Sequence, residues 1–378
     1  LNIAIVCYPT FGGSGVVATE LGIALAARGH EIHFITYHQP VRLEALKNSN
    51  IHFHEVNVPD YPLFKYQPYE LALSSRLVDV VKNSRIDVLH VHYAIPHAYA
   101  AYMAKKMLLD EGILIPIVTT LHGTDITLVG SHPFYRPAVM FSINHSDRVT
   151  AVSESLKQDT LRLFDIKTKI DVVPNFIDTD KIERLGKPCE RDLLAQKDEK
   201  ILTHISNFRP LKRIMDVIAV FEQIAPTIPC KLMMVGEGPE KLKAIEYVES
   251  KGLDDRILFL GNSNEIDKIL CYSDLFLLPS EKESFGLSAL EAMAHGVPVI
   301  SSNAGGISEV NKEGYSGYLA NIGDVETLSA RAKELLSDTQ LHARFKKQAK
   351  KQASLFSLEK IIVKYEAIYS DASASIQF

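Results

Sequence analysis

Short β-branched runs alternate with longer stretches of helical periodicity along the chain. In the first half, residues 2–7, 31–36, 51–56, 86–91, 115–120 and 148–152 read as strands. Most of these runs are nearly continuous in apolar residues, the pattern of strands covered by helices on both faces. Helical periodicity fills 16–28, 69–82, 96–110 and 133–145. The second half repeats the scheme, with strands at 201–206, 231–235, 257–260, 275–278 and 297–301 and further helices after Asp324. Such βα alternation predicts an α/β fold with a doubly wound parallel sheet in each half and right-handed crossovers. Residues 181–200 are charged, turn-rich and without strand periodicity, so they read as the connection into the second domain, with a hinge near Pro174 and Asn175. Two such domains facing one another would leave a cleft lined by the carboxyl ends of both sheets, where doubly wound folds bind ligands.

Composition narrows the function classes. A chain of 378 residues suggests two to three domains at roughly 150 residues each. Apolar residues make up 46% and charged residues 23%, the balance of an ordinary globular protein. The net charge of −5 gives no overall basic field to gather nucleic acid or anionic membrane. No apolar run approaches the roughly 20 residues of a membrane span, and the first one, at 3–7, is too short for a signal peptide. The four cysteines, Cys7, Cys189, Cys230 and Cys271, lie far apart with no CxxC pair. That spacing excludes a disulfide scaffold or zinc ribbon and leads us to expect a reduced, cytoplasmic setting.

Four motifs carry candidate chemistry. FGGSG at 11–15 follows the first strand and opens the first helix. A glycine turn there either brings backbone N–H groups and the positive helix end close to an anion or simply packs the helix on the sheet. It is neither GxGxxG nor GxxxxGK[ST], so it supports no dinucleotide or P-loop reading. SNFRPLKR at 206–213 ends the first strand of the second half. Arg209 and Lys212 there suit a diphosphate, through a planar fork and a point charge, unless both are solvated surface charges. PSEKESFGLSALEAMAHGVPVI at 279–300 is the most specific. A strand gives way to a turn carrying Glu283 and then to a helix that starts near Phe285 and Gly286. The early N–H groups of that helix, from Gly286 through Leu287 to Ser288, suit an anion, and Glu283 and Glu291 can both accept hydrogen bonds from sugar hydroxyls. LHGTD at 121–125 places His122 at a strand's carboxyl end, either as a cleft residue or as a structural histidine. His90, His92 and His97 cluster in HVHYAIPH, but no nearby Cys or acidic pair completes a metal-ligand set, and no metal is expected.

Together these residues resemble the family 4 retaining glycosyltransferases of GT-B fold, over nearly the whole chain: the glycine turn, HGTD, VPNFID at 173–178, the RPLK loop, and ESFGLSALE with its glutamates eight apart. YPTFGGSGVVATELG, HVHYAIPHA and HGTDITLVG further resemble the members that transfer GlcNAc from UDP-GlcNAc to L-malate, the first step of bacillithiol biosynthesis. One position departs from the wider family. Many members carry Gly-Gly-x-Glu in the first turn, where this chain has Gly15, which fits a negatively charged acceptor that an acid would repel.

The resemblance implies an acceptor-binding Rossmann-like domain over 1–174, a UDP-sugar-binding domain over 175–355, and a C-terminal helix over 356–378 that packs back on the first domain. It implies that Arg209 and Lys212 neutralise the diphosphate, with help from the Gly13 N–H and the helix start at Ser284, Phe285, Gly286, Leu287 and Ser288. Ser206 and Asn207 join the donor site, Glu291 holds the ribose, and the backbone near Gly261 and Asn262 takes the uracil. Glu283 and His122 contact the transferred sugar. For the acceptor, Ser14, Tyr93 and Thr120 are expected on the cleft side, with Arg136 as the guanidinium for a carboxylate. UDP-GlcNAc is then a co-substrate and no cofactor is needed. The cations replace a metal, and the one nearby DxD match, Asp178 and Asp180, falls in the hinge. The sequence implies no nucleic-acid partner and no stable membrane association, and is compatible with a homo-oligomer. A different small or lipid acceptor, or a nucleotide-sugar epimerase of the same fold, are the rival readings.

Overall fold

The computed structural model describes the chain except residues 11, 41–42, 44–48, 61, 186–190, 192–193 and 376–378. The continuous apolar runs become parallel strands, most of them buried. In the first unit β1 (Asn2–Val6), β2 (Glu31–Thr36), β3 (Ile51–Glu55), β4 (Val88–His92), β5 (Ile117–Leu121), β6 (Arg148–Ala151) and β7 (Ile170–Val172) lie in the order β3-β2-β1-β4-β5-β6-β7. In the second, β8 (Lys200–Ile205), β9 (Cys230–Val235), β10 (Ile257–Gly261), β11 (Leu275–Leu278), β12 (Val299–Ser302) and β13 (Gly317–Ala320) lie in the order β10-β9-β8-β11-β12-β13. Strand order reverses at β1 in one sheet and at β8 in the other. In such sheets the loops leaving those strands flank the ligand position.

Helices cover the sheets because each presents an apolar stripe. Helix Tyr69–Ser84 buries Leu73, Leu77, Val80 and Val81, and helix Tyr99–Asp110 buries Ala101, Ala104 and Leu108, in one core with Val6, Leu89 and Ile117. Helix Ile214–Ile224 plays the same part in the second unit, with Val217, Ile218, Phe221 and Ile224 packed against Leu232, Leu275 and Phe345. Gly22 lets helix Gly13–Ala27 approach β2, since a Cβ there would stand 2.4 Å from Phe34 Cζ.

The compact units are Leu1–Asn175 with Leu358–Phe378, and Phe176–Ser357. Helix Leu358–Ala374 belongs to the first unit. It buries Ile361, Ile362, Tyr365 and Tyr369, donates or accepts a 2.8 Å hydrogen bond between Tyr369 Oη and His90 Nδ1, and pairs Glu366 with Arg28 at 2.7 Å.

Local structure departs from the sequence pattern in several places. β7 and β13 are strands the apolar pattern does not flag. The helix expected over 133–145 starts only at Arg136, with Pro137 in its first turn, and ends at Asn144. The one expected from Pro96 is a wide turn over Ala94–Ala98 followed by helix Tyr99–Asp110. The connection expected over 181–200 begins inside helix Thr179–Leu185. Phe11 of the glycine turn and Cys189 lie outside the described residues. Cys7 and Cys230 are buried free thiols, whereas Cys271 is disulfide-bonded, a bond that the wide cysteine spacing does not suggest. Among the described residues no helix is long and apolar enough to cross a membrane.

Candidate active site

In the second unit the loops leaving β8 to β12 converge on one edge. The chain after β8 turns through Phe208, buried at a φ of +30°, into the short turn Pro210–Lys212. The loop after β9 lies against it. A Cβ on Gly236 would stand 1.8 Å from Ser206 O and one on Gly238 2.2 Å from Asn207 O, so only glycine permits this contact. Gly236 N–H donates to Gly261 O at 2.8 Å, which brings Gly261 beside the same loop, while Asn262 is exposed. His204 pins Ser206. Its Nδ1–H donates to Leu277 O at 2.8 Å, so its Nε2 accepts from Ser206 Oγ at 2.7 Å.

The loop after β11 is tied to the same turn. Glu281 N–H donates to Leu211 O at 2.7 Å, and Lys212 Nζ lies 2.5 Å from Glu283 Oε1, which also accepts from Ser280 Oγ at 2.9 Å. Lys212 and Glu283 are thus brought together across 71 residues of sequence. Both are largely buried, whereas Arg209 is exposed. Gly306 N–H donates to Glu283 O at 2.8 Å, and a Cβ on Gly305 would stand 2.3 Å from that oxygen, so the Gly305–Gly306 pair after β12 forms the floor under Glu283. Helix Leu287–Ala294 follows from Gly286, whose φ of +93° favours glycine. The first-turn N–H groups of Leu287 and Ser288 have no intrahelical acceptor. Ser284 stands just before this helix, Phe285 is buried, and Glu291 is half-buried one turn further on.

In the first unit the edge is built by β1, β4 and β5. Helix Gly13–Ala27 starts directly after Gly12, and Ser14 Oγ lies 2.7 Å from Tyr93 Oη. Tyr93 holds a φ of +86°, which a non-glycine residue adopts only under constraint. The constraint comes from Asp125, a buried carboxylate whose Oδ2 accepts from Ala94 N at 2.9 Å and whose Oδ1 accepts from Gly123 N at 2.9 Å and His122 N at 3.3 Å. The Tyr93 and His122 rings lie 5.1 Å apart. Ser14, Tyr93 and His122 therefore form one cluster.

Two expected acceptor contacts stand differently. Thr120 is fully buried, and its hydroxyl lies 2.8 Å from His90 Nε2 and 2.7 Å from Thr150 Oγ1, so it has no face for a ligand. The sequence places it at a strand's carboxyl end but does not show which way it points. Arg136 is exposed, with its guanidinium 5.2 Å from the Phe164 ring centre. For Gly15 the structure gives a steric cause: a Cβ would stand 2.5 Å from Tyr8 O, so no side chain fits. Asp125, Ser280 and the two glycine pairs are contributors that sequence reasoning missed, and His92 stood out there only as part of a histidine cluster lacking a metal-ligand set. The Asp of HGTD, the histidines of HVHYAIPH and the GEG and AGG triplets carried the signal.

The buried histidines His90, His97, His122 and His204 are neutral. Burial pushes His90 and His122 down to about 3 and His97 and His204 to about 4, from 6.5. Among the described residues no group of three or more His, Cys, Asp or Glu could hold a metal ion. For each histidine the unfolded chain binds more protons between the lowered value and 6.5. The stability it contributes is full above 6.5 and is lost as pH falls, at about 1.4 kcal/mol per pH unit and site. Asp125 acts in the opposite sense, because burial raises it from 3.8 to about 6 and its contribution falls as pH rises through that window. Four histidines outweigh one aspartate, so Tm should fall steadily from pH 7 to pH 5 in calorimetric scans. A flat Tm over that range would contradict buried neutral histidines.

The family profile for glycosyltransferase family 4 matches residues 11–181, and that for glycosyl transferases group 1 matches residues 189–352. An N-acetyl-alpha-D-glucosaminyl L-malate synthase of Bacillus anthracis is 48% identical over 373 residues, covering 98% of this chain and 97% of that protein. The chain belongs to the family 4 glycosyltransferases. This glycosyltransferase also has the GT-B fold. Anabaena HepE, solved with UDP and glucose, superimposes with a TM-score of 0.79 at 20% identity, over 98% of this chain and 99% of that one. Sucrose-phosphate synthase of Thermosynechococcus elongatus gives 0.78 at 20% identity, over 99% of each chain.

Proposed function

We propose that the enzyme transfers GlcNAc from UDP-GlcNAc to the hydroxyl of L-malate, with retention at the anomeric carbon, as the first step of bacillithiol biosynthesis. The near full-length identity to a GlcNAc–malate synthase carries this reading. The paired Lys212 and Glu283 on the carboxyl edge of the second unit fit it chemically. Arg209 and Lys212 neutralise the diphosphate, aided by the Gly13 N–H and the helix start at Leu287 and Ser288. Glu291 binds the ribose and the loop at Gly261 and Asn262 the uracil. Glu283 exchanges Lys212 for the sugar's hydroxyls when the donor arrives. The malate hydroxyl attacks the anomeric carbon on the face from which UDP departs, and its proton passes to a β-phosphate oxygen of the leaving UDP. The two cations stabilise the charge that develops there. Ser14 and Tyr93 receive the acceptor, and Arg136 clamps a carboxylate. The same reading makes the enzyme cytoplasmic, the compartment that holds both substrates.

An acceptor screen with UDP-GlcNAc tests this, in excess chelator because the cations do the work of a metal. UDP release is expected with L-malate and not with other hydroxy acids or sugar phosphates. Release without any acceptor would favour an epimerase. In the same assay Arg136→Ala should raise the malate KM about ten- to hundredfold, the size of one charge-assisted hydrogen bond, with the donor KM unchanged.

A further inference from the structure

The first unit holds a buried polar chain behind His122. His92, fully buried on β4, points its Nδ1 at His122 Nε2, 2.8 Å away, and the two rings lie edge to edge with centres 5.1 Å apart and 25° between their planes. His92 Nε2 is buried with no hydrogen-bond partner. His97 is fully buried as well, and its Nδ1–H donates to His92 O at 2.6 Å, holding the backbone of the same residue. Burial keeps His92 well below 6.5, so its ring is neutral and carries a single N–H.

That hydrogen has two places to go. On Nε2 it would be a buried donor with nothing to accept it, the rarer and costlier kind of orphan. On Nδ1 it makes the bond to His122 and leaves only an unused lone pair behind. His92 therefore donates, and His122 Nε2 accepts. His122 is neutral too, so its own hydrogen sits on Nδ1, which no hydrogen bond among the described residues engages. Asp125 fixes the backbone of the same residue by accepting from His122 N.

We propose that His92 is a positioning residue that locks His122 in the Nδ1–H tautomer, so that His122 meets the transferred sugar as a hydrogen-bond donor and takes no proton from the acceptor. This rests on the reading that His122 faces the sugar. It leaves the leaving phosphate as the base. A histidine at the end of a strand beside a hydroxyl nucleophile would otherwise be the obvious general base. Here its one basic nitrogen is already occupied by His92.

Long-range 1H–15N spectra of the whole wild-type chain report the tautomer of His122 directly, whether or not any variant folds. The hydrogen is expected on Nδ1, and a hydrogen on Nε2 would overturn the proposal. In kinetics, His92→Phe keeps a ring of similar size but no donor, and should lower kcat/KM for UDP-GlcNAc about tenfold, the loss of one hydrogen bond. His92→Asn returns an N–H near the Nδ1 position and should restore most of it. The effect of His92→Phe should vanish in a His122→Ala background, because the two act as one unit. An equal loss in that background would reduce His92 to a packing residue and defeat the proposal. An Nδ1–H signal in a protein that gives malate no GlcNAc would sink the acceptor reading while leaving the tautomer standing.

Discussion

Arg209→Ala and Lys212→Ala should each lower kcat by about 10²–10³-fold, the cost of removing one preorganised group from a developing anion. On the proposed mechanism charge grows on the β-phosphate only as the glycosidic bond breaks, so these side chains should matter more in the transition state than on binding. The loss should therefore fall on kcat, with a smaller change in the donor KM. Lys212 carries a second burden. Its ammonium lies 2.5 Å from the Glu283 carboxylate, whose side chain is only 10% exposed. Removing the cation strands that carboxylate beside an incoming diphosphate, so Lys212→Ala should also weaken UDP binding by repulsion. The double variant Lys212→Ala with Glu283→Gln removes the stranded charge. It should recover UDP affinity measured by calorimetry without recovering kcat. Turnover close to wild type in both single variants would remove these residues from the leaving-group site.

The two-sheet α/β pattern was legible in the sequence because buried parallel strands are continuous apolar runs. Residues 275–278 match β11 in full, and most other predicted strands overlap the observed ones to within two residues. β7 and β13 escaped because three- and four-residue strands among polar neighbours give periodicity nothing to count. β7 carries Asp171 in its middle, and β13 opens with Gly317 in a glycine-rich turn. Helix starts were misjudged where proline and turn residues precede them, as at Arg136 and Tyr99.

Within the candidate site, sequence spacing could mark a residue as near the carboxyl edge but not say which way it faces. Ser14 and Tyr93, chosen separately, meet at 2.7 Å, while Thr120 turns inward toward His90 and Thr150. The Lys212–Glu283 pair joins loops after β8 and β11, neighbours only once the sheet forms. The glycines after β9 and β12 are needed for backbone close approach, which a single sequence does not display. Asp125 belonged to a recognised motif, yet its partner Ala94 is 31 residues away. The sequence thus exposes groups that would touch ligand better than the groups that hold them.

Asp125 is where that hidden layer should show most strongly. Its carboxylate accepts from the backbone N–H groups of Ala94, Gly123 and His122, fully enclosed in the first unit. Asp125→Ala leaves three buried donors without acceptors, at about 1–3 kcal/mol each. Against this stands the relief of no longer burying a carboxylate. The rise from 3.8 to about 6 puts that relief at about 3 kcal/mol near neutral pH. Three orphaned donors outweigh it, and a net loss of about 3 kcal/mol corresponds to a Tm lower by about 10 °C for a unit of this size. Asp125→Asn keeps one acceptor oxygen and sheds the charge, but turns an amide N–H₂ toward one of the donors, so its loss should be smaller. The two variants should also differ in activity. Ala94 N–H is what holds the Tyr93 turn at its φ of +86°, and Tyr93 in turn meets Ser14. Where that turn relaxes, the malate KM should rise, while UDP binding to the second unit stays at wild-type strength. A Tm for Asp125→Ala within 2 °C of wild type would show that water or a shifted loop satisfies these donors. The strained Tyr93 turn would then need another explanation than the carboxylate behind it.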